Sequence, residues 1–214
     1  GTTNSAGAGA TDIMIIKLDG SGNILWQNAY GGANGELPYQ IDGTIDGGLI
    51  LVGFRHDYVT QREVLLMKTD SMGAIQWAKV YRDGLLNIGQ GIDENVRLGG
   101  RQIGTNEEFY ISGYTTSYGA GAEDIFVFKT GSTGNILWSK TYGGTGMEIS
   151  RGVMVTGTGL LVPGFTTSFG SGGGDIYLLQ LDFDGNLLGS HTYGGANNDM
   201  VLTEATDNML QFTN

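Results

Sequence analysis

Short apolar runs, separated by glycine-rich polar steps, predict β-strands along the whole chain. The first such runs lie at residues 12–18, 23–30, 37–44 and 49–54. Asp-Gly and Gly-Asn steps lie between runs, and they supply the positive φ angles that tight hairpins require. The pattern therefore predicts an antiparallel meander of four strands.

The first predicted strand is apolar on both faces. Because side chains alternate along a strand, Ile13 and Ile15 point to one face, and Met14 and Ile16 point to the other. The similar run at 124–130 shows the same character. A strand of this kind needs a packed layer on each side of its sheet.

The meander is one unit of an internal repeat. Residues 12–26 return at 124–138 and 175–189, with a weaker copy at 63–77. A tyrosine follows each copy, with spacings of 51, 61 and 51 residues, and Gly-Gly follows three of them; the four are Tyr30, Tyr81, Tyr142 and Tyr193. A period of this length indicates a propeller or a repeat array.

The two ends of the sequence fit the same period. Residues 1–12 match 113–124, and residues 207–214 match 46–53. We therefore predict one domain over residues 1–214, with the last repeat completed by the first residues of the chain. The repeat units are 12–62, 63–122, 123–173, and 174–214 completed by 1–11. The start at Gly1, without a methionine, is interpreted as a piece of a longer precursor.

Sheets that are apolar on both faces can stack around an axis, which predicts an all-β fold and a β-propeller of four four-stranded antiparallel blades. Two alternatives stay open, namely half of an eight-bladed ring and a slice of a larger propeller.

The repeat resembles the repeats of a known group of proteins. Its pattern Asp-x-x-x-x-Lys-Leu-Asp-x-x-Gly-Asn-x-x-Trp-x-x-x-Tyr-Gly-Gly, with a later Asp-Gly-Gly before an apolar strand, is similar to the repeats of secreted bacterial and archaeal β-propeller proteins. The resemblance covers nearly the whole chain. It implies an extracellular or cell-surface location and a role in binding or scaffolding, and it carries over no catalytic residue.

Composition and charge restrict the classes of partner that the protein is expected to bind. The chain of 214 residues carries a formal net charge of −11, which disfavours nucleic acid and anionic membranes. It has no cysteine, so disulfides and thiolate metal sites are excluded, and no apolar run is long enough to span a membrane.

Carboxylates recur at fixed positions in the repeats. One set is Asp12, Glu63, Asp124 and Asp175, and another is Glu36, Glu148 and Asp199, with Asn87 in the second unit. They could line a channel and hold Ca²⁺, or accept hydrogen bonds from turn amides, which we favour. At 182–186, Asp182, Asp184 and Asn186 could offer oxygens to one ion, but the later glutamate of a calcium loop is missing, so we interpret this segment as an ordinary hairpin turn. We predict no metal site and no cofactor, with Ca²⁺ as the alternative.

The recurring aromatic and basic residues have plain structural interpretations. The recurring tyrosines and tryptophans are expected to pack between blades, although they could stack on sugars. The recurring lysines are expected to pair with the carboxylates.

The second unit departs from the repeat and is the best place for a partner. It holds ten additional residues, between Tyr81 and Phe109. Five of the six arginines lie between residues 55 and 101, and residues 54–104 carry a net charge of +1. The candidate binding residues are Arg55, His56, Asp57, Tyr58, Arg82, Asp83, Arg97 and Arg101. The alternative is drift in solvent-facing loops.

No catalytic motif is found, whether a nucleophile elbow, a zinc-binding helix or a phosphate loop. The sequence therefore predicts a non-catalytic extracellular module that binds a protein or glycan, or assembles with its own copies. The alternative is a carbohydrate-active enzyme or lectin with its site at the channel mouth.

Overall fold

The computed structural model describes residues 1–56, 62–81, 88–94 and 107–200, with the backbone alone for 88–94. This part of the chain is all-β, and its four sheets of three to five strands are antiparallel. It contains no helix that could cross a membrane. The chain divides into two compact units, Gly1–Gly89 and Gln90–Asn214.

The first unit contains two sheets, in the orders β1–β2–β3 and β4–β5–β6–β7. The strands are β1 (Thr2–Thr3), β2 (Asp12–Leu18), β3 (Ile24–Tyr30), β4 (Gly35–Gly43), β5 (Leu49–His56), β6 (Arg62–Thr69) and β7 (Ile75–Tyr81).

The second unit also contains two sheets, and their orders are β11–β10–β9–β8 and β12–β14–β15–β16, with β13 paired to β14. The strands are β8 (Ile88–Glu94, which crosses the boundary between the units), β9 (Glu108–Thr115), β10 (Asp124–Gly131), β11 (Ile136–Tyr142), β12 (Glu148–Ser150), β13 (Met154–Val155), β14 (Leu160–Thr166), β15 (Asp175–Leu181) and β16 (Leu187–Tyr193).

The strands predicted from the first repeat are confirmed, but their grouping into one meander is wrong. The first two predicted strands, β2 and β3, pair in one sheet, whereas β4 and β5 begin the next sheet. Each complete sheet thus combines the second half of one repeat with the first half of the following repeat. The same division holds at residues 124–142 and 148–193.

The loop after the repeat tyrosine explains this shift. Residues 31–34 carry the chain from the end of β3 past the start of β2, so that β4 does not pair with β3. Gly35 forms an isolated parallel bridge with Thr11, and the Glu36 amide donates to the Thr11 carbonyl at 2.8 Å. The corresponding contact of β12 joins the Glu148 amide to the Glu123 carbonyl at 2.7 Å.

Each unit has an apolar core between its two sheets. In the first unit, Ile13, Ile15 and Tyr30 pack against Leu51, Leu65 and Met67. In the second unit, the core is formed by the buried side chains of β9 and β10 with those of β13–β15; it includes Tyr110, Ile125, Val127, Val155, Val162 and Leu179.

Burial of both strand faces holds for only some copies of the repeat. Residues 64–69 of β6 and residues 124–128 of β10 are buried without alternation. In β2, by contrast, Ile13 is buried whereas Ile16 is 50% exposed, and β15 alternates along its length. The two-faced prediction is therefore wrong for β2, whose Ile13–Ile15 face alone packs in the core of its unit.

A repeated tyrosine joins the two sheets of each unit, as expected for packing between sheets. The Tyr30 hydroxyl donates to the Gly73 carbonyl at 2.7 Å, and the Tyr142 hydroxyl donates to the Gly185 carbonyl at 2.6 Å. Both glycines adopt positive φ in the hairpin of the partner sheet. Burial raises the pKa of Tyr142, so the hydroxyl stays protonated and able to donate.

We expect Tyr142→Phe to lower the free energy of unfolding by about 1–2 kcal/mol, because the Gly185 carbonyl loses its donor. Urea denaturation measures the change. Tyr193→Phe is the matched control, since the fourth repeat tyrosine is 54% exposed, and it should change stability by less than about 0.5 kcal/mol. Equal losses in the two variants would contradict a role for the hydroxyl in joining the sheets.

Candidate functional site

The recurring carboxylates meet in pairs beside the Gly-Gly loops. One member of each pair lies at the start of β2, β10 or β15, and the other lies 24 residues later in the sequence. We call these the loop carboxylate pairs: Asp12–Glu36, Asp124–Glu148 and Asp175–Asp199.

The aspartates that begin the strands accept hydrogen bonds from the preceding loop. The Gly9 amide donates to Asp12 Oδ2 at 3.3 Å, and the Gly121 amide donates to Asp124 Oδ2 at 3.1 Å. The Ser171 amide donates to Asp175 at 2.9 Å. Each aspartate thereby orders a glycine-rich loop that has few side chains to hold it.

The second carboxylate of each pair accepts a hydrogen bond from the backbone amide four residues earlier. The Gly32 amide donates to Glu36 at 3.2 Å. In the same way, the Gly144 amide donates to Glu148 at 2.6 Å and the Gly195 amide donates to Asp199 at 2.9 Å. Each pair therefore fixes two loops at once.

The two carboxylates of a pair converge on the first glycine of the Gly-Gly step. A Cβ added to Gly31 would overlap Asp12 Oδ1 and would stand 2.7 Å from Glu36 Oε2. Gly143 and Gly194 have the same relation to the other two pairs. The glycine is required at this position because the carboxylate oxygens occupy the space of a side chain.

Burial raises the pKa of Glu36. The Gly32 amide opposes this shift, the Asp12 carboxylate adds to it, and Arg55 and His56 lower the pKa. Ionisation of Glu36 is thus disfavoured mainly by the loss of water around its carboxylate, with repulsion from Asp12 as a smaller contribution.

Arg55 is engaged by neighbouring acids. It stands across from Glu36 on β4 and Glu63 on β6, and its Nη2 donates to Glu63 Oε2 at 2.7 Å. In the fourth sheet the corresponding position holds Thr166, whose hydroxyl donates to Glu148 Oε1 at 2.6 Å. The arginine therefore replaces a short hydroxyl with a cation that neutralises part of the local acidity.

His56 belongs to an aromatic and cationic cluster at one end of the second sheet. The ring of Phe54 lies 6.3 Å from the His56 ring and 5.7 Å from the Tyr39 ring, measured between centroids. The Arg62 guanidinium lies 5.0 Å from the centre of the Phe54 ring. We call Tyr39, Phe54, His56 and Arg62 the strand-end cluster.

The structure brings together only part of the predicted binding set. Arg55 and His56 are adjacent on β5, whereas Asp57, Tyr58, Arg82, Asp83, Arg97 and Arg101 lie outside the described residues. Sequence reasoning missed Tyr39, Phe54 and Arg62 as members of a site. Arg62 could have been found from the sequence, because it is an arginine that the other repeats lack. Tyr39 could not, because it is the extra residue at which the pairing of β4 with β5 shifts between Pro38 and Gln40.

The turn carboxylates also serve local structure. Asp182 accepts from the amides of Asp184 and Asn186 at 2.9 and 2.7 Å, which forms a closed turn. Buried Lys68 donates to Asp46 at 2.5 Å; although burial opposes it, this contact lowers the pKa of Asp46. Among the described residues, no group of three or more metal-ligating side chains is found.

No protein family compared with the chain matches it, and neither does any curated protein sequence.

We expect Gly143→Ala to destabilise the protein by about 1–3 kcal/mol, because the new Cβ would displace Asp124 or Glu148 from the loop. Chemical denaturation measures the change. Gly157→Ala is the control, since no atom lies within 4 Å of its added Cβ, and it should be neutral or slightly stabilising. An unchanged stability of Gly143→Ala would show that the carboxylates do not pack tightly around this glycine.

Proposed function

We propose that the chain is a β-propeller module that acts outside the cell and binds a protein or glycan without catalysing a reaction. Four antiparallel sheets, a repeat of about fifty residues and face-to-face packing within each unit support a ring of sheets. The resemblance of the repeat to secreted β-propeller proteins supports the location.

The strand-end cluster is the observation that carries the binding role. Polar residues that recur in the repeats are engaged in loops and turns, whereas the His56 and Arg62 side chains of this cluster have no counterpart in the fourth sheet. Where the second sheet has His56, the fourth has Thr167, whose Oγ1 accepts from the Met147 amide at 2.7 Å. Arg62 occupies the position of Glu123 and Gly174.

The chemistry of the cluster suits recognition of a partner. Tyrosine and arginine are enriched where binding energy concentrates, since each joins a large contact area to a polar end. Tyr39 is 39% exposed and Arg62 is exposed, so both can reach a ligand. Phe54 beneath them is buried and holds the arginine by a cation–π contact.

The charge distribution gives the cluster a preferred class of partner. Residues 54–104 have a net charge of +1, while the protein as a whole has −11. A partner that carries carboxylates or sulfates is therefore repelled less by this segment, to which Phe54, His56 and Arg62 belong, than by the rest of the chain.

Immobilised full-length protein, probed with a panel of neutral and acidic polysaccharides and acidic proteins, tests this function. We expect at least one member to bind, and Arg62→Ala to weaken that binding by at least about tenfold, as for a central arginine contact. Biolayer interferometry measures the affinity, and a reducing-end assay records any hydrolysis.

Lys140→Ala is the charge-matched control, because Lys140 lies on β11 of the other sheet pair, donates to Asn186 at 2.8 Å and is not a member of the strand-end cluster. It should keep the wild-type affinity, and both variants should melt like the wild type. Failure of every panel member to bind, or equal loss in both variants, would contradict the assignment. Release of reducing ends would favour a carbohydrate-active enzyme instead.

A further inference from the structure

The loop carboxylate pair of the first unit has a buried oxygen without a partner. Asp12 is 1% exposed and Glu36 is 5% exposed. Asp12 Oδ2 accepts from Gly9, but Asp12 Oδ1 is buried and makes no hydrogen bond. This oxygen lies against Gly31, on which Glu36 Oε2 also converges.

Such an arrangement is costly when no positive charge contacts Asp12 itself. A buried carboxylate oxygen that lacks a hydrogen bond loses its hydration without compensation, and a second carboxylate beside it adds repulsion. Among the described residues, Asp12 makes no ion pair, and the nearby Arg55 forms its salt bridge with Glu63. Buried unsatisfied groups of this kind call for a water molecule or an ion.

We propose that Asp12 and Glu36 bind a hard divalent cation of the Ca²⁺ class. Carboxylate oxygens are the ligands that Ca²⁺ prefers, and the cation would satisfy Asp12 Oδ1 while relieving the repulsion between the two acids. Because the protein supplies only two carboxylates, water and loop carbonyls complete the shell. The dissociation constant is then about 10⁻⁴–10⁻³ M, the range of extracellular calcium modules.

The corresponding pair in the second unit lacks this character. Glu148 Oε1 accepts from the Thr166 hydroxyl at 2.6 Å and from the Ser168 amide at 3.3 Å, and Glu148 Oε2 accepts from Gly144. In the first unit Arg55 replaces that threonine. The Asp124–Glu148 pair is therefore a matched comparison with similar loop geometry and a fully satisfied glutamate.

Calorimetric titration of the full chain with CaCl₂, together with melting in EDTA or in 10 mM CaCl₂, tests the site. We expect a dissociation constant of about 0.1–1 mM and a rise in melting temperature of about 3–11 °C, from the linkage of ligand binding to stability. Asp12→Asn should abolish the rise and weaken binding at least about tenfold, whereas Asp124→Asn should retain both. The site does not depend on the proposed partner binding.

Asp12→Asn and Asp124→Asn each keep an amide oxygen that can accept from the loop amide of Gly9 or Gly121, so both variants should fold in EDTA. Glu36→Gln, which keeps an acceptor for the Gly32 amide, serves if Asp12→Asn does not fold, and it should likewise lose the calcium response. Identical wild-type melting in EDTA and CaCl₂ would overturn the proposal. Retention of calcium binding by Asp12→Asn and Glu36→Gln would overturn its location.

Discussion

Burial of one sheet against the next is the constraint on which this structure depends. A sheet with an apolar face is stable in water only when another layer covers that face. In the first unit, Ile13 and Ile15 are covered by Leu51 and Leu65, which belong to the following sheet. Tyr30 then adds a directional contact to the non-directional burial, because its hydroxyl reaches the Gly73 carbonyl in a hairpin of that sheet. The second unit uses the same arrangement.

The loop carboxylates follow from this packing. Stacked sheets require a connection that leaves one sheet and enters the next within a few residues, and glycine-rich loops allow this at the cost of chain entropy. Asp124 and Glu148 offset that cost by accepting hydrogen bonds from the loop amides, in a space that Gly143 leaves free. Acidic residues are therefore structural wherever loop donors satisfy them. Asp12 differs because one of its buried oxygens has no donor.

The repeat in the sequence was sufficient to predict the strands but not their grouping. Alternation and turn residues are local, and β2 to β5 lie close to their predicted ranges. Pairing depends on where the chain crosses between sheets, and nothing in the Tyr-Gly-Gly step shows that Gly35 will meet Thr11. The departure of residues 54–104 from the repeat pointed to Arg55 and His56, yet the aromatic cluster was missed because Tyr39 enters it through a pairing irregularity.

Hydrogen exchange with mass spectrometry tests most directly whether the two sheets of a unit depend on each other. If mutual burial stabilises them, the amides of β2 and β6 should exchange through one shared opening with the same free energy, and those of β10 and β15 should behave likewise. Exchange of β2 at a much lower opening free energy than β6, with β10 and β15 also separating, would show that each sheet is stable without its neighbour and would contradict the account.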